Sequence, residues 1–360
     1  MSSRNTFLLV VGLLVAGLLV MSPALAREPA PPRGTVVDEP FVSSVLRDSR
    51  IGLDPERSIK VLLPPGYAKS KRRYPVVYFL HNAWYGPKPM IEDGRAQRLI
   101  ERAFADGVAP QFIFVIADYT GPTTGSLYEN SPVSGRWIDY TVDEVVPLID
   151  TKYRTLARRE SRAVVGDFFG GRGALKLAMV KAEVFSVAYA MHPVATGAGD
   201  IPWSTLEVDW PRMHAAQGFA ELGGLGRTQI FWAIHQAFAP NIEAPPCFCD
   251  FYTQIKDGKA VYDADRAMAM QKSFLLDDTL VESAAALRSM RGLAFDWGRF
   301  DTTQAHVISN REFSRKLEDL AIEHEAEEYR GDPWNRTWTD DGRFAERVLP
   351  FLRKHLATTE

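Results

Sequence analysis

The 360-residue chain has only two cysteines and no excess of charge of either sign: 42 Lys and Arg stand against 45 Asp and Glu, for a formal net charge of −3. Two cysteines cannot build a disulfide scaffold, so the core must be held together by burial. A near-neutral chain has no global electrostatic attraction to nucleic acid or an anionic membrane, and no nucleic-acid partner is expected. There is no dinucleotide fingerprint, phosphate-binding Gly-rich loop or paired metal motif, so no cofactor or metal is expected. Internal repeats and low-complexity blocks are also missing. What is present, 46% hydrophobic and 24% charged residues, excludes a disordered or fibrous chain.

One apolar run stands apart. Arg4 precedes the unbroken stretch from Phe7 to Val20, and Ala24-Leu25-Ala26 then places small residues around a cleavage point. The pattern is that of a secretory signal peptide over residues 1–26, too short to span a bilayer. Its removal leaves no transmembrane anchor, and an exported protein, periplasmic or secreted, is expected. Cys247 and Cys249 are one residue apart; so close a pair is a strained disulfide, and two thiols beside Pro245-Pro246 are expected.

Beyond a Pro-, Arg- and Glu-rich arm at 27–40, strand and helix patterns alternate. Strands are expected at 58–63, 75–80, 111–117, 162–165, 185–191, 293–297 and 323–329. Helices are expected at 91–106, 137–153, 170–181, 309–321 and 343–356. Continuous apolar runs such as Pro75 to Leu80 suit strands covered on both faces. The alternation predicts an α/β fold over 41–356, a mostly parallel sheet flanked by helices. From about 195 to 290 the rhythm breaks into helical patches, Pro-rich turns and tryptophans. This stretch reads as a cap-like insertion over the sheet's C-terminal edge, where open α/β sheets bind ligands.

The most informative segment is Arg162 to Leu175, in which a buried strand meets Gly166-Asp167-Phe168-Phe169-Gly170 and a helix follows. Glycines at the first and fifth positions of a tight turn form the frame of a nucleophile elbow, and they explain Gly170-Gly171-x-Gly173 without a cofactor. The elbow's apex is Phe168, whose ring cannot attack an acyl carbon.

With this elbow, the ordered set Val61-Leu62-Leu63-Pro64-Pro65-Gly66-Tyr67, Tyr74 to His81, Val145 to Asp150 and Tyr153-Arg154 resembles the esterase family of α/β-hydrolases. That family includes S-formylglutathione hydrolases, enterochelin esterases, feruloyl esterases and bacterial mycolyltransferases. The resemblance runs from about 40 to 356 and is weakest over 195–290. It implies the α/β-hydrolase fold and acyl transfer by a Ser-His-Asp triad. Residue by residue, the serine position is Phe168 and the acid position, after Phe295-Asp296-Trp297-Gly298, is similar to Asp301. The base usually lies in a Gly-His-x-x-Trp-like segment, which here reads Gly331-Asp332-Pro333-Trp334, so Asp332 replaces the histidine. The oxyanion loop reads His81-Asn82, whose backbone N–H with that of Phe169 could still form a donor pair.

Each of these residues also has a plain structural role open to it. Asp301 could brace its loop, and His81 could pack at its strand end. Asp167 could serve as a substitute nucleophile but sits one position early, pointing away from the apex. His306, five residues beyond Asp301, could be a displaced base. The other histidines, His192, His214, His235, His324 and His355, show no ligand spacing. Trp84, Tyr85, Tyr119 and Trp334 are expected to line a pocket suited to aryl or sugar groups. Three functions follow in order: a non-catalytic pseudo-esterase binding an acyl, aryl or sugar-ester ligand, an active hydrolase or acyltransferase with a rearranged site, and an envelope scaffold.

Overall fold

A computed structural model describes residues 32–82, 93–199, 205–334 and 337–359. The expected leader and the pocket candidates Trp84 and Tyr85 lie outside the described residues. Among the described residues no helix is long and apolar enough to cross a membrane.

Among the described residues eight strands form one sheet: β1 (Thr35–Val42), β2 (Glu56–Leu63), β3 (Val76–Leu80), β4 (Ile113–Ala117), β5 (Arg162–Asp167), β6 (Val187–Met191), β7 (Gly292–Gly298) and β8 (Glu325–Tyr329). Their order is β1-β2-β4-β3-β5-β6-β7-β8. The pairs β1·β2 and β2·β4 are antiparallel; from β4 through β3, β5, β6 and β7 to β8 every pair is parallel. β3, β4 and β6 are wholly buried, as strands covered on both faces must be. β1 takes in Thr35–Pro40, which the sequence reading placed in an arm. Its alternating exposure and its Asp38, Glu39 and Pro40 mark a polar edge strand, a pattern that reads as loop in one dimension.

Helices cover both faces. One carries the helical run 137–152, α3 (Phe169–Val180), α7 (Leu280–Arg288) and α8 (Gln304–Asp319), packed on Val164, Ala188 and Phe295. The run 137–152 is labelled α2 here, and its middle turn is a π-helix over Tyr140–Val145. The other face carries α1 (Arg95–Ala105) and α9 (Leu349–His355), packed on Val77, Phe114 and Val165.

Between β6 and β7 the chain adds α4 (Trp210–Ala215), α5 (Arg227–Phe238), a hairpin of Thr253–Lys256 with Lys259–Tyr262, and α6 (Ala264–Phe274). These elements have their own core, in which Trp210, Trp232, Phe238, Tyr252 and Met270 join Phe168 and Phe169 in one buried cluster. α7, counted within 195–290 from sequence, belongs instead to the sheet's cover: Leu280, Ala284 and Leu287 join the core beside α3. Cys247 and Cys249 form a disulfide rather than two thiols. Phe248 takes a positive φ of 57°, and this turn brings the flanking Cα atoms to 5.1 Å, within disulfide reach.

Candidate functional site

The parallel strands end side by side, so residues just past β3, β5, β6 and β7 meet at one edge. β5 runs through Gly166 into the elbow. Phe168 holds φ 57° and ψ −109°, a strained conformation for a non-glycine residue, and it opens α3. Two glycines make this possible. A Cβ on Gly166 would overlap the Gly170 carbonyl, and one on Gly170 would overlap the Leu80 carbonyl, so α3 starts directly against the end of β3. The Phe168 N–H donates to Met191 O at 3.0 Å, and its carbonyl accepts from Arg172 N at 3.0 Å.

The Phe168 ring is the hub of an aromatic group. It lies parallel to His192 with centroids 6.0 Å apart, and edge-on to His306 and Phe169 at 5.5 and 5.4 Å. The half-exposed Trp334 covers it at 4.7 Å.

Beside it stands a hydrogen-bonded trio, of which the sequence pointed to Asp301 and His306 but not to His192. Asp301 is buried in the loop after β7. Its Oδ1 accepts from Thr303 N at 2.7 Å, and its Oδ2 is 2.8 Å from both His192 Nε2 and His306 Nδ1. His192 Nδ1 accepts the Gly298 N–H at 2.9 Å, so its proton is on Nε2 and is given to Asp301. Burial would raise the Asp301 carboxyl, but the hydrogen bonds from His192 and His306 hold it well below the usual carboxylate range. Burial pushes the His192 imidazole down against the pull of Asp301 and keeps it neutral.

These three groups are close enough to be considered for a metal. The tautomer argues against it, because Nε2 of His192 would have to lose its proton while Nδ1 is already committed as an acceptor. His306 has Nδ1 engaged, and its Nε2 has no hydrogen-bond partner among the described residues.

Asp332 closes a local turn, its Oδ1 accepting the Trp334 N–H at 2.7 Å. Asp167 lies on the face opposite α3, level with Met191 and Asp296 in neighbouring strands. Among the described residues its Oδ1 is buried without a hydrogen-bond partner, and burial together with the nearby Asp296 carboxylate raises its pKa to about 7. His81 is buried, with Nδ1 on Asn82 O at 2.9 Å and Nε2 accepting Tyr119 N–H at 3.0 Å. Asn82 is buried at the same strand end, while Phe169, at the first turn of α3, borders the cavity described next.

Tyr119 departs from the expected pocket role. It is buried under the loops against Tyr128, Trp137 and Tyr140, with its hydroxyl 3.0 Å from Thr141 Oγ1. A residue just past β4 stands two strands away from the elbow, where the core continues.

A cavity of about 250 Å³ opens beside Phe168 and Phe169. Its wall comes mostly from the stretch between β6 and β7, through Val194, Leu206, Ile230, Phe231, Ile234 and Phe274. Thr303 and His306 close one side, and the exposed Arg227 stands at the rim. The apolar helix faces that build it read from sequence as ordinary core.

A strained strand–turn–helix elbow, set at the C-terminal edge of a mostly parallel eight-stranded sheet, defines an α/β-hydrolase. The chain belongs to the esterase family: the family model described as "Putative esterase" matches residues 52–341. It is 30% identical over 181 residues to Esterase Rv1288 of Mycobacterium tuberculosis strain H37Rv, a match that covers 49% of this chain and 36% of that protein. It is 27% identical over 138 residues to an endo-1,4-beta-xylanase/feruloyl esterase of Xylanibacter ruminicola, covering 36% of this chain and 18% of that one. The chain thus corresponds to about a third or less of these curated relatives' lengths. Among solved structures it is similar in fold to a ferulic acid esterase (TM-score 0.60, 19% identity, 90% of this chain and 99% of that one). It is likewise similar to an S-formylglutathione hydrolase from Agrobacterium tumefaciens (TM-score 0.56, 14% identity, 90% and 96%).

Proposed function

We propose that this esterase-family chain binds an acyl or aryl ester, or the acid derived from it, without serine-type turnover. The observation that carries the reading is Phe168. The backbone at the elbow's apex is that of a nucleophile, but the side chain is a phenyl ring packed between His192, His306 and Trp334. A ring there offers no lone pair to a carbonyl carbon and fills the space from which a hydroxyl would attack.

The adjoining cavity supports binding. Its apolar walls suit an alkyl or aryl group, and Thr303, His306 and Arg227 supply a few polar contacts at its border. The apolar lining favours acyl and aryl ligands over sugars. A scaffold with no ligand gives no reason to keep this space open beside the elbow.

Titration of the protein with short-chain acyl anilides and aryl carboxylates, followed by calorimetry, tests the reading. Binding is expected in the micromolar to millimolar range, weakened at least about tenfold by Ile234→Arg, which puts a charge in the apolar wall. No binding by any member of the panel would contradict it.

A further inference from the structure

Asp301 Oδ2 receives two imidazoles at the same distance, but they are not equivalent. His192 spends both nitrogens on the protein, Nδ1 on the Gly298 N–H and Nε2 on Asp301. His306 spends only Nδ1. It borders the cavity, and its ring is nearly perpendicular to that of Phe168 at 5.5 Å between centroids, which puts ring atoms in van der Waals contact. A carboxylate on Nδ1 fixes the tautomer that leaves Nε2 as a proton acceptor, the arrangement a general base requires.

We propose that His306 is a general base in working geometry, carried on the first turn of α8 instead of the segment around Asp332, and that Phe168 alone withholds its nucleophile. His192 is a positioning residue in this arrangement. It donates from Nε2 to the same Asp301 Oδ2 and so helps to hold the carboxylate that His306 shares. The proposal goes beyond ligand binding and does not depend on what the wild-type cavity holds.

Its chemical content is explicit for the Phe168→Ser variant. The introduced hydroxyl oxygen bonds to an ester's carbonyl carbon as its proton passes to His306 Nε2. The carbon–oxygen bond to the leaving group then breaks, and the leaving oxygen takes that proton. Water repeats the two steps to free the acid and restore the hydroxyl.

The test uses the protein carrying Phe168→Ser, alone and combined with His306→Ala or Asp332→Asn, with 4-nitrophenyl acetate and a fluorophosphonate label as probes. Phe168→Ser is expected to show an acyl burst and to take up one label. Adding His306→Ala should cut both rates at least about 100-fold, and adding Asp332→Asn should leave them within about threefold. A folded Phe168→Ser protein with no burst, or one indifferent to His306→Ala, overturns the proposal.

Should Phe168→Ser fail to fold, nitrogen-15 spectra of histidine in the wild-type protein decide the matter. A His306 with Nδ1 protonated and Nε2 bare, lost in Asp301→Asn, supports the proposal; the opposite tautomer overturns it. Turnover by the wild-type protein would instead count against the ligand-binding reading, so the two can fail separately.

Discussion

Asp167 precedes the elbow's apex and lies on the sheet face opposite α3. Its unpartnered Oδ1 and the buried Asp296 nearby make the charged form costly, and the pKa rises to about 7. Asp296 itself is raised by burial, although Arg343 donates to its Oδ2 from Nε and Nη2 at 3.0 and 2.9 Å. The unfolded chain ionises Asp167 near its ordinary value of 3.8, while the folded chain keeps the proton up to about 7. Its favourable contribution is therefore complete below pH 4 and declines as the pH rises to about 7, by about 4 kcal/mol. Asp167→Asn should leave the melting temperature unchanged at pH 4 and raise it at pH 8. Thermal unfolding across that range checks this, and equal shifts at both ends would contradict it. The same geometry excludes Asp167 as a substitute nucleophile at the apex, since consecutive strand residues point to opposite faces.

Among the elements, α3 joins the sheet to the added helices through Arg172. This fully buried guanidinium donates to Phe274 O from Nε at 3.2 Å and Nη2 at 2.8 Å, and to Leu127 O from Nη1 at 3.1 Å, and it lies over the Phe238 and Phe274 rings. Glu129 is 3.5 Å away and also pairs with Lys176. Arg172→Met leaves the two carbonyls without these donors and should cost about 2–4 kcal/mol. It should also speed proteolytic cleavage between 205 and 275 while the sheet persists in circular dichroism; protection equal to wild type would contradict this role.

The elements themselves were largely legible in one dimension. Buried strands such as Val76–Leu80 and Ile113–Ala117 are short apolar runs closed by Pro, Gly or Asp, and the glycine frame around Phe168 announces its turn. The polar edge strand β1 was not legible, because its residues face solvent on alternate sides. α7 was hidden because an apolar crossover helix and an apolar insertion helix look alike until their partners are known. The disulfide turned on the backbone of Phe248, which residue spacing does not report.

For the whole molecule, the sheet's topology is what assembles the site. His192 follows β6, Asp301 follows β7 and Phe168 follows β5, so three segments far apart in sequence become neighbours by strand order. That is why the elbow and the acid position could be read from sequence while His192 could not: no spacing links it to Asp301 until the strands are laid side by side. A histidine directly after a buried strand, as in Met191-His192-Pro193, was the available signal. The cavity is likewise a property of the assembled molecule, bounded by the elbow, the start of α8 and helices from the stretch between β6 and β7.

The proposed reading is of an esterase fold that keeps a pocket at the elbow but no nucleophile. Its most direct test is hydrolysis of a panel of 4-nitrophenyl and other aryl esters by the purified wild-type protein, beside His306→Ala and Asp167→Asn. Rates equal to buffer for all three proteins are predicted, because Phe168 occupies the attacking position. Wild-type turnover that collapses in either variant would contradict the claim and establish a rearranged esterase.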